Sequence, residues 1–270
     1  MVEPRRRLIF STNPGRSGSG FLAELLDRSD DIDAGHERLP TMTGPWLRRV
    51  EHLGAEESRH RRRFKVEAIA HELGRLPPGV AYCDTSHMFA KTFADVVLDG
   101  FPATSITVIE LRRDPVSTAR SYFELGAVSS VDGTWHDWMV NPLAPAARFR
   151  VDPTTVESPF DLVFASLVDA HARAVDLRRG HPRISWIEAD LADISTAAGA
   201  ARLFDRLDAR PPADLGSRDL DVHNTKPIEK SRLGRIVSRR LVAERYEDFL
   251  RRHGHETEVA AFARAHRGTP

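Results

Sequence analysis

The residues best suited to chemistry in this chain lie in a glycine- and serine-rich turn at residues 13–20, with the sequence NPGRSGSG. Glycines let the backbone turn so that several N–H groups converge on an anion at the N-terminus of a helix. Arg16 can bind a phosphate-like oxygen with two donors, and the serines add hydroxyl donors. A plain strand-to-helix turn is the alternative, but the arginine and serines favour an anion site. The residues predicted to bind the anion are Gly15, Arg16, Ser17, Gly18, Ser19 and Gly20.

A second candidate anion site follows the clearest predicted strand, at residues 105–111. Arg113 lies at the exit of that strand, and Asp114 and Pro115 then provide the signal for the start of a helix. Ser121 lies about two turns inside this helix, on a face that can turn towards the same crevice. Arg113 and Ser121 are therefore predicted to bind one phosphate from two sides. A solvated arginine and a serine bonded to its own helix would fit the pattern equally well.

Segments with strand and helix character alternate along the chain, and this alternation determines the predicted fold. Apolar runs bounded by turn signals predict strands at residues 8–12, 80–84, 105–111 and 184–188. Helical spacing predicts helices at residues 19–27, 46–53, 63–76, 88–97, 115–125, 160–179, 196–207 and 231–253. The predicted fold class is α/β, with three α/β/α layers around a central parallel sheet. Ligands of such sheets bind beyond the carboxyl ends of the strands, which is where both candidate anion sites lie.

The chain is predicted to form a single domain over residues 1–270. An irregular segment is expected at about 126–159 and a helical part at about 231–270. Within the irregular segment, Trp135 and Trp138 are expected to anchor the loop rather than to line an acceptor pocket. The basic run at residues 59–63 is expected to be a solvated helix face.

Composition narrows the classes of function. The 270 residues have a formal net charge of zero, so binding to nucleic acid is not expected. The single cysteine, Cys83, excludes an internal disulfide and favours a reducing cytoplasm. No apolar segment is long enough for a signal peptide or a membrane span, so a cytoplasmic protein without a membrane partner is predicted. The histidines and the cysteine show no spacing typical of metal ligands, and no metal is expected.

A nucleoside-triphosphate P-loop is the main alternative for the first turn. That pattern requires G-x-x-x-x-G-K-[ST]. Gly15 and Gly20 have the required spacing, but Phe21 and Leu22 stand in the places of the lysine and of the Ser or Thr. The lysine that bridges phosphates and the hydroxyl that holds magnesium are thus missing, which disfavours hydrolysis of ATP or GTP.

The two motifs together resemble those of the P-loop-related sulfotransferases that use 3′-phosphoadenosine 5′-phosphosulfate (PAPS). Residues 16–19 are similar to the family's 5′-phosphosulfate loop. Residues 109–115, with Ser121 eight positions after Arg113, are similar to its 3′-phosphate motif. Residues 186–191 and the helix after them are similar to the next strand and helix, so the resemblance spans residue 8 to about 207. Gly20 departs from the family, which often has threonine or serine there.

The resemblance also implies a general base. In the similar tyrosylprotein sulfotransferases the catalytic glutamate lies twenty-one residues after the loop arginine, which is the position of Glu37. Glu37 is therefore predicted as the base, and Arg16 is predicted to stabilise the leaving group. His87, just after the strand at 80–84, is a rival base because an ordinary histidine pKa of about 6.5 suits proton transfer. His36 is a third candidate base, although a role in orienting another group, or no role, is the favoured expectation for it.

A late polar segment at residues 223–232 contains two of the four lysines of the chain. The family commonly closes a C-terminal loop over its donor. By that resemblance Lys226 and Lys230, together with Arg232, are predicted to contact a phosphate. A solvated region at a helix cap is the alternative.

The predicted activity is the transfer of a sulfuryl group from PAPS to a hydroxyl of a small-molecule or natural-product acceptor, leaving 3′-phosphoadenosine 5′-phosphate (PAP). A bacterial cytosolic enzyme is the first expectation. A P-loop kinase that uses ATP and a non-catalytic nucleotide-binding protein are the alternatives. Magnesium-dependent turnover of ATP would identify the kinase, and binding of PAP without transfer would identify the binding protein.

Overall fold

The computed structural model describes residues 6–126, 137–215 and 237–266, with a parallel sheet of five strands at the centre. The strands are β1 (Leu8–Thr12), β2 (Ile32–Gly35), β3 (Ala81–Asp84), β4 (Ile106–Arg112) and β5 (Ser185–Asp190). Their spatial order is β2-β3-β1-β4-β5, and every neighbouring pair is parallel. The parallel sheet predicted from the alternation of strands and helices is confirmed.

Helices cover both faces of the sheet. They are α1 (Ser19–Asp27), α2 (Pro45–Arg62), α3 (Phe64–Arg75), α4 (Ala94–Gly100), α5 (Pro115–Glu124), α6 (Pro159–Gly180), α7 (Leu191–Ile194), α8 (Ala197–Arg206), α9 (Arg239–His253) and α10 (Thr257–Ala265). A π-helical turn, Phe89–Phe93, directly precedes α4. The α/β class with helices on either side of a central sheet is therefore confirmed.

Successive residues of the central strand β1 pack into opposite layers. Ile9 joins an apolar cluster with side chains of α1 and α8. Leu8 and Phe10 join a second cluster with side chains of α2, α3 and α4. This follows from the alternation of side chains along a strand, and burial on both faces accounts for the continuous apolar run in the sequence.

A third apolar cluster lies beside the sheet and supports α5. It combines side chains of α5, α6, α9 and α10, including Tyr122, Phe164, Phe249 and Phe262. Residues of the irregular segment after position 137 also contribute, among them Met139. This cluster fixes α5, which carries part of the second predicted anion site.

The edge strand β2 was not among the predicted strands. Its sequence, Ile-Asp-Ala-Gly, contains one buried apolar residue, Ile32, and residue types with low strand propensity. The segment is extended because it pairs with β3 over four positions, from Ile32 opposite Ala81 to Gly35 opposite Asp84. Tertiary pairing therefore overrides a weak local signal.

The expectation of a solvated basic face at residues 59–63 is wrong for Arg62. The charged segment is helical and belongs to α2, and the break in that helix falls at Gly54, where φ is +81°. Arg62 is fully buried and forms an ion pair with Asp95. Charged residues with good helix propensity continue the helix, and the carboxylate compensates the buried guanidinium.

Several predictions fall on residues outside the described ranges: those for Trp135, Lys226, Lys230 and Arg232. The predicted C-terminal helical part contains α9 and α10 within the described residues. Among the helices of the described ranges, none has the length and apolar character needed to cross a membrane.

Candidate active site

The turn after β1 is shaped by a side-chain hydrogen bond and two glycines. The backbone N–H of Gly15 donates to Asn13 Oδ1 over 2.9 Å, which forms an Asx turn. Gly15 and Gly18 have φ values of +99° and +93°, in the region that favours glycine. A Cβ atom on Gly18 would lie 2.5 Å from a methyl carbon of Leu191, so no larger residue fits there without a shift. The chain can therefore enter α1 directly from the turn.

The second predicted segment is joined to this turn by hydrogen bonds. Asp114 caps α5 by accepting from the backbone N–H groups of Val116 and Ser117, as its position before Pro115 predicts. One hydrogen bond between the two segments comes from Arg16, whose Nε donates to Ser121 Oγ over 3.1 Å. Another comes from Arg113, whose Nη1 donates to the carbonyl of Arg16 over 2.7 Å. The two segments therefore form one continuous group of polar atoms.

The sheet topology explains why the two segments meet. The chain leaves β1 towards β2 on one side of the sheet, and leaves β4 towards β5 on the other side. β1 and β4 are neighbours, so the crevice between their carboxyl ends is a topological switch point. Ligands of open α/β sheets bind at such points.

A cavity of about 810 Å³ opens at this crevice. It is lined by Arg16, Gly18, Ser19, Gly20, His36, Glu37, Thr43, His87, Arg113, Ser121, Glu124, Leu125, Asp137, Trp138 and Leu191. The cavity thus brings together residues from both predicted anion segments and all three candidate bases. Trp138, expected only to anchor its loop, also lines the cavity, and its ring stacks on Tyr122 at a centroid distance of 4.9 Å.

Two residues of the predicted anion turn do not line the cavity. Gly15 is buried beneath the turn, where a Cβ would meet Tyr122 Oη at 3.0 Å and His87 Nδ1 at 3.4 Å. Ser17 is also buried, and its hydroxyl donates to the carbonyl of Gly15 over 3.2 Å. Both residues shape the turn from within.

Arg16 and Arg113 are half-buried cations that form no ion pair within the part of the chain that the structure describes. In residues 6–126, 137–215 and 237–266, neither guanidinium lies within ion-pairing distance of a carboxylate. Burial lowers the pKa of both side chains, and repulsion by Arg16 lowers the pKa of Arg113 further. Two neighbouring cations at a helix N-terminus form a strong site for an anion.

Glu37 and His87 line the same cavity and form a hydrogen-bonded pair. Glu37 Oε1 lies 3.1 Å from His87 Nε2 and 3.8 Å from His36 Nε2. The hydrogen bond with His87 lowers the pKa of Glu37 to about 2, although burial opposes this shift. Burial lowers the pKa of His87 to about 4, and repulsion by Lys91 acts in the same direction. At neutral pH the pair consists of a carboxylate and a neutral imidazole.

The backbone at Glu37 is held by a buried ion pair. Lys65 Nζ lies 2.9 Å from Asp84 Oδ2, and both side chains are buried. Lys65 also donates to the carbonyl of Arg38 over 2.8 Å, and the N–H of Arg38 donates to Asp84 Oδ1 over 3.3 Å. The residue that follows Glu37 is therefore fixed on both sides of its Cα.

Backbone strain marks two of the three residues predicted for catalysis. Within the described ranges three non-glycine residues have positive φ, namely Arg16 at 55°, Glu37 at 53° and Asp208 at 50°. A left-handed conformation costs a non-glycine residue on the order of 1–2 kcal/mol. Such strain persists where the surrounding structure fixes it, and it is common at functional sites.

Lys91 is a residue of this site that the sequence reasoning missed. Its Nζ lies 2.8 Å from His87 Nδ1 and donates to the carbonyls of Pro14 and Trp138 over 2.8 and 3.2 Å. The signal was its spacing: Lys91 lies four residues after His87 in a segment with helical periodicity, which places the two on one face. It is also one of only four lysines, so it is less easily explained as one more surface cation.

Comparison with known structures identifies the fold. The sulfotransferase domain from the curacin biosynthetic pathway is similar over 96% of this chain and 97% of its own, with a TM-score of 0.53 and 14% sequence identity. A sulfotransferase from Alicyclobacillus acidocaldarius is similar over 95% of both chains, with a TM-score of 0.51 and 14% identity. No protein-family model matches the chain, and no curated protein does.

The sheet order and the crevice at the switch point define an open, doubly wound α/β architecture. Within that class, the chain has the fold of the sulfotransferases over almost its whole length. The fold implied by the two sequence motifs is therefore confirmed.

Proposed function

We propose that this chain transfers a sulfuryl group from PAPS to a hydroxyl group of a small-molecule acceptor. One observation carries the proposal. Arg16 and Arg113, which have no carboxylate partner within the described residues, line the same cavity as the Glu37–His87 pair. An anion site and a proton acceptor in one cavity are the two parts that sulfuryl transfer requires.

The residues at the switch point fit a donor with phosphate groups at both ends. Gly18, Ser19 and Gly20, together with Arg16, would hold the 5′-phosphosulfate at the N-terminus of α1. Arg113 and Ser121 would hold the 3′-phosphate. The two lysines at 226 and 230 are proposed to contact a phosphate as well.

The donor supplies the sulfuryl group, and this chain's residues handle charge and a proton. Glu37 accepts the proton of the acceptor hydroxyl while the acceptor oxygen forms its bond to sulfur and the bond from sulfur to the 5′-phosphate oxygen breaks. Arg16 stabilises the negative charge that develops on the departing phosphate oxygen, and PAP leaves. The attacking oxygen becomes the ester oxygen of a sulfate, so its proton becomes strongly acidic. A carboxylate that is ionised at neutral pH is therefore a sufficient base.

The acceptor is proposed to be a small molecule because the cavity is of the size that encloses such ligands. The apolar part of the cavity wall is formed by Trp138, Leu125 and Leu191, and Thr43 adds a hydroxyl group.

The proposal is tested by calorimetry and by transfer of labelled sulfate. We expect PAP to bind at least about tenfold more tightly than ATP, because ATP lacks the 3′-phosphate. Transfer from ³⁵S-labelled PAPS to a panel of phenols and alcohols should be found with at least one acceptor. In the Glu37→Gln variant the turnover number should fall by a factor of about 10²–10⁴, while the affinity for PAP is kept.

Three outcomes would contradict the assignment in different ways. Magnesium-dependent ATP turnover without PAP binding would identify a kinase. Binding of PAP without transfer to any acceptor would identify a nucleotide-binding protein. Full turnover in Glu37→Gln together with a collapse in His87→Ala would move the role of the base to His87.

A further inference from the structure

Lys91 is a buried cation to which the proposed reaction assigns no role. Only 3% of it is exposed, and its Nζ lies within 3.2 Å of three groups: His87 Nδ1 and the carbonyls of Pro14 and Trp138. An ammonium group carries three N–H donors, one for each of these neighbours. The neutral amine has two donors and a lone pair, so it would fit only with the ring proton on His87 Nδ1, which would leave an unprotonated Nε2 against the Glu37 carboxylate. The geometry therefore corresponds to the charged form of Lys91.

The carboxylate of Glu37 and the ammonium group of Lys91 determine the direction of the hydrogen bonds that each forms with His87. An ionised carboxylate only accepts, so Nε2–H of His87 donates to Glu37. An ammonium group only donates, so Nδ1 of His87 accepts from Lys91. His87 is thus neutral, with its single ring proton on Nε2.

We propose that Lys91 is a positioning residue that keeps His87 neutral and in this tautomer, so that Glu37 remains the base of the reaction. The identification of a base rests on the proposed function, whereas the state of His87 rests on the contacts alone. If Nδ1 were protonated as well, the imidazolium would pair with Glu37 and lower the proton affinity of its carboxylate. The ammonium group of Lys91, which is present below about pH 7, opposes that protonation.

Charged and titratable groups on several elements act on these two side chains, and one of them, Glu51, has its own pKa raised to about 7 by burial. They are Glu37 and His36 beside His87, and Glu51, Asp169 and Arg173 around Lys91. Burial and then Arg173 lower the pKa of Lys91 to about 7, while the three carboxylates of Asp169, Glu37 and Glu51 oppose the shift. The three acceptors at Nζ favour the ammonium form in the same way as these carboxylates.

The local backbone supports a role beyond packing. Lys91 lies in the π-helical turn Phe89–Phe93, a rare conformation that often occurs at functional sites. This turn brings Nζ to the carbonyl of Pro14, inside the anion-binding turn. Tyr122 donates to the same carbonyl over 2.5 Å. The anion-binding turn is therefore held by a second hydrogen bond, which does not involve the imidazole of His87.

The experiment measures the ring nitrogens of His87 by ¹⁵N NMR in protein labelled at histidine, without donor or acceptor. The signal is assigned by its loss in His87→Gln. In the wild-type chain below about pH 7, where Lys91 is charged, we expect a proton on Nε2 only and no protonation of Nδ1 down to about pH 5. In Lys91→Met the midpoint of His87 should rise by more than about one pH unit, because the repelling cation is gone.

Tyr122→Phe is the matched control. It removes the other hydrogen bond to Pro14 and leaves the charge beside His87 unchanged, so the midpoint of His87 should stay where it is in the wild-type chain. In the active enzyme, the acid limb of the pH profile of kcat/KM should move upwards in Lys91→Met by the same amount as the NMR midpoint. It should not move in Tyr122→Phe.

Three results would overturn the role of Lys91. They are a proton on Nδ1 of His87 in the wild-type chain, protonation of His87 with a midpoint near pH 6.5, and equal midpoints of His87 in Lys91→Met and Tyr122→Phe. If Lys91→Met does not fold, the tautomer and titration of the wild-type chain decide alone. The NMR result is independent of catalysis. A chain that transfers no sulfuryl group would refute the proposed function and leave the assignment of the ring proton to be judged by NMR.

Discussion

Two pairs of buried or half-buried cations lie at the carboxyl edge of the sheet, and they differ in their partners. Beside β2 and β3, Lys65 is paired with Asp84 at 2.9 Å, and Arg38 lies between two carboxylates. At the mouth of β1 and β4, Arg16 and Arg113 have no such partner in the described ranges. A charge that folding must desolvate is ordinarily compensated within the fold. The uncompensated pair is therefore the part of this edge that is built for a ligand.

The largest expected effect is the loss of stability when a compensated cation is removed. Lys65→Met should lower the free energy of unfolding by about 3–5 kcal/mol, because the buried carboxylate of Asp84 is left without its partner. Urea denaturation followed by circular dichroism measures this. Arg113→Ala is the matched control, and its free energy of unfolding should change by less than about 1 kcal/mol. Equal losses in the two variants would remove the distinction between the two pairs.

The next effect is on catalysis rather than on stability. Arg16→Ala should lower kcat for sulfuryl transfer by about 10²–10³, because the departing phosphate loses a charged donor. Its stability should be close to that of the wild-type chain, since relief of the repulsion with Arg113 offsets the lost hydrogen bond to Ser121. A stopped assay with labelled PAPS and urea denaturation measure the two quantities. A large loss of stability with unchanged kcat would mean that Arg16 stabilises the fold, as Lys65 and Arg38 do, and does not act on the donor.

A smaller effect separates the two unpaired cations from each other. Arg113→Ala should weaken binding of PAP about 10–100-fold, the range for loss of a charge-assisted bond to phosphate. Binding of adenosine 5′-monophosphate, which lacks the 3′-phosphate, should change much less. Calorimetry with both nucleotides checks the prediction. If both lose affinity to the same degree, Arg113 does not bind the 3′-phosphate.

The unpaired region was the easier one to predict from sequence, because its signals are local. The turn after β1 and the cap of α5 are each specified by contiguous residues. The two segments meet because the carboxyl ends of neighbouring parallel strands lie at the same edge of the sheet. Residues such as Asp114 and Pro115 specify a helix start wherever they occur. Local chemistry and a topological rule were therefore sufficient to predict the parallel sheet and the meeting of these two segments at its carboxyl edge.

The compensated region could not be predicted because its contacts are between distant residues. Glu37 and His87 are fifty positions apart and meet only because β2 pairs with β3, and β2 has almost no strand signal. The sequence therefore presented them as rival bases, whereas the structure shows one hydrogen-bonded pair. Burial of Arg62 was missed for the same reason, since Asp95 is thirty-three positions away.

The smallest expected effect concerns the boundary between the two regions, where His87 lies. Its pKa is lowered from the ordinary 6.5 to about 4, so the unfolded chain binds a proton in this range that the folded chain does not. The stability that this group contributes is present above pH 6.5 and is lost as the pH falls towards 4. We expect a loss of about 1–2 kcal/mol between pH 7 and 5 from this residue.

His87→Gln isolates that contribution, because a glutamine amide can donate to Glu37 and accept from Lys91 but does not titrate. Urea denaturation at pH 7, 6 and 5 should give a flatter dependence for this variant than for the wild-type chain. Glu37, whose pKa is lowered to about 2, acts in a separate window, because its contribution is lost only as the pH falls from 4.5 towards 2. Parallel curves between pH 7 and 5 would mean that His87 is not held neutral.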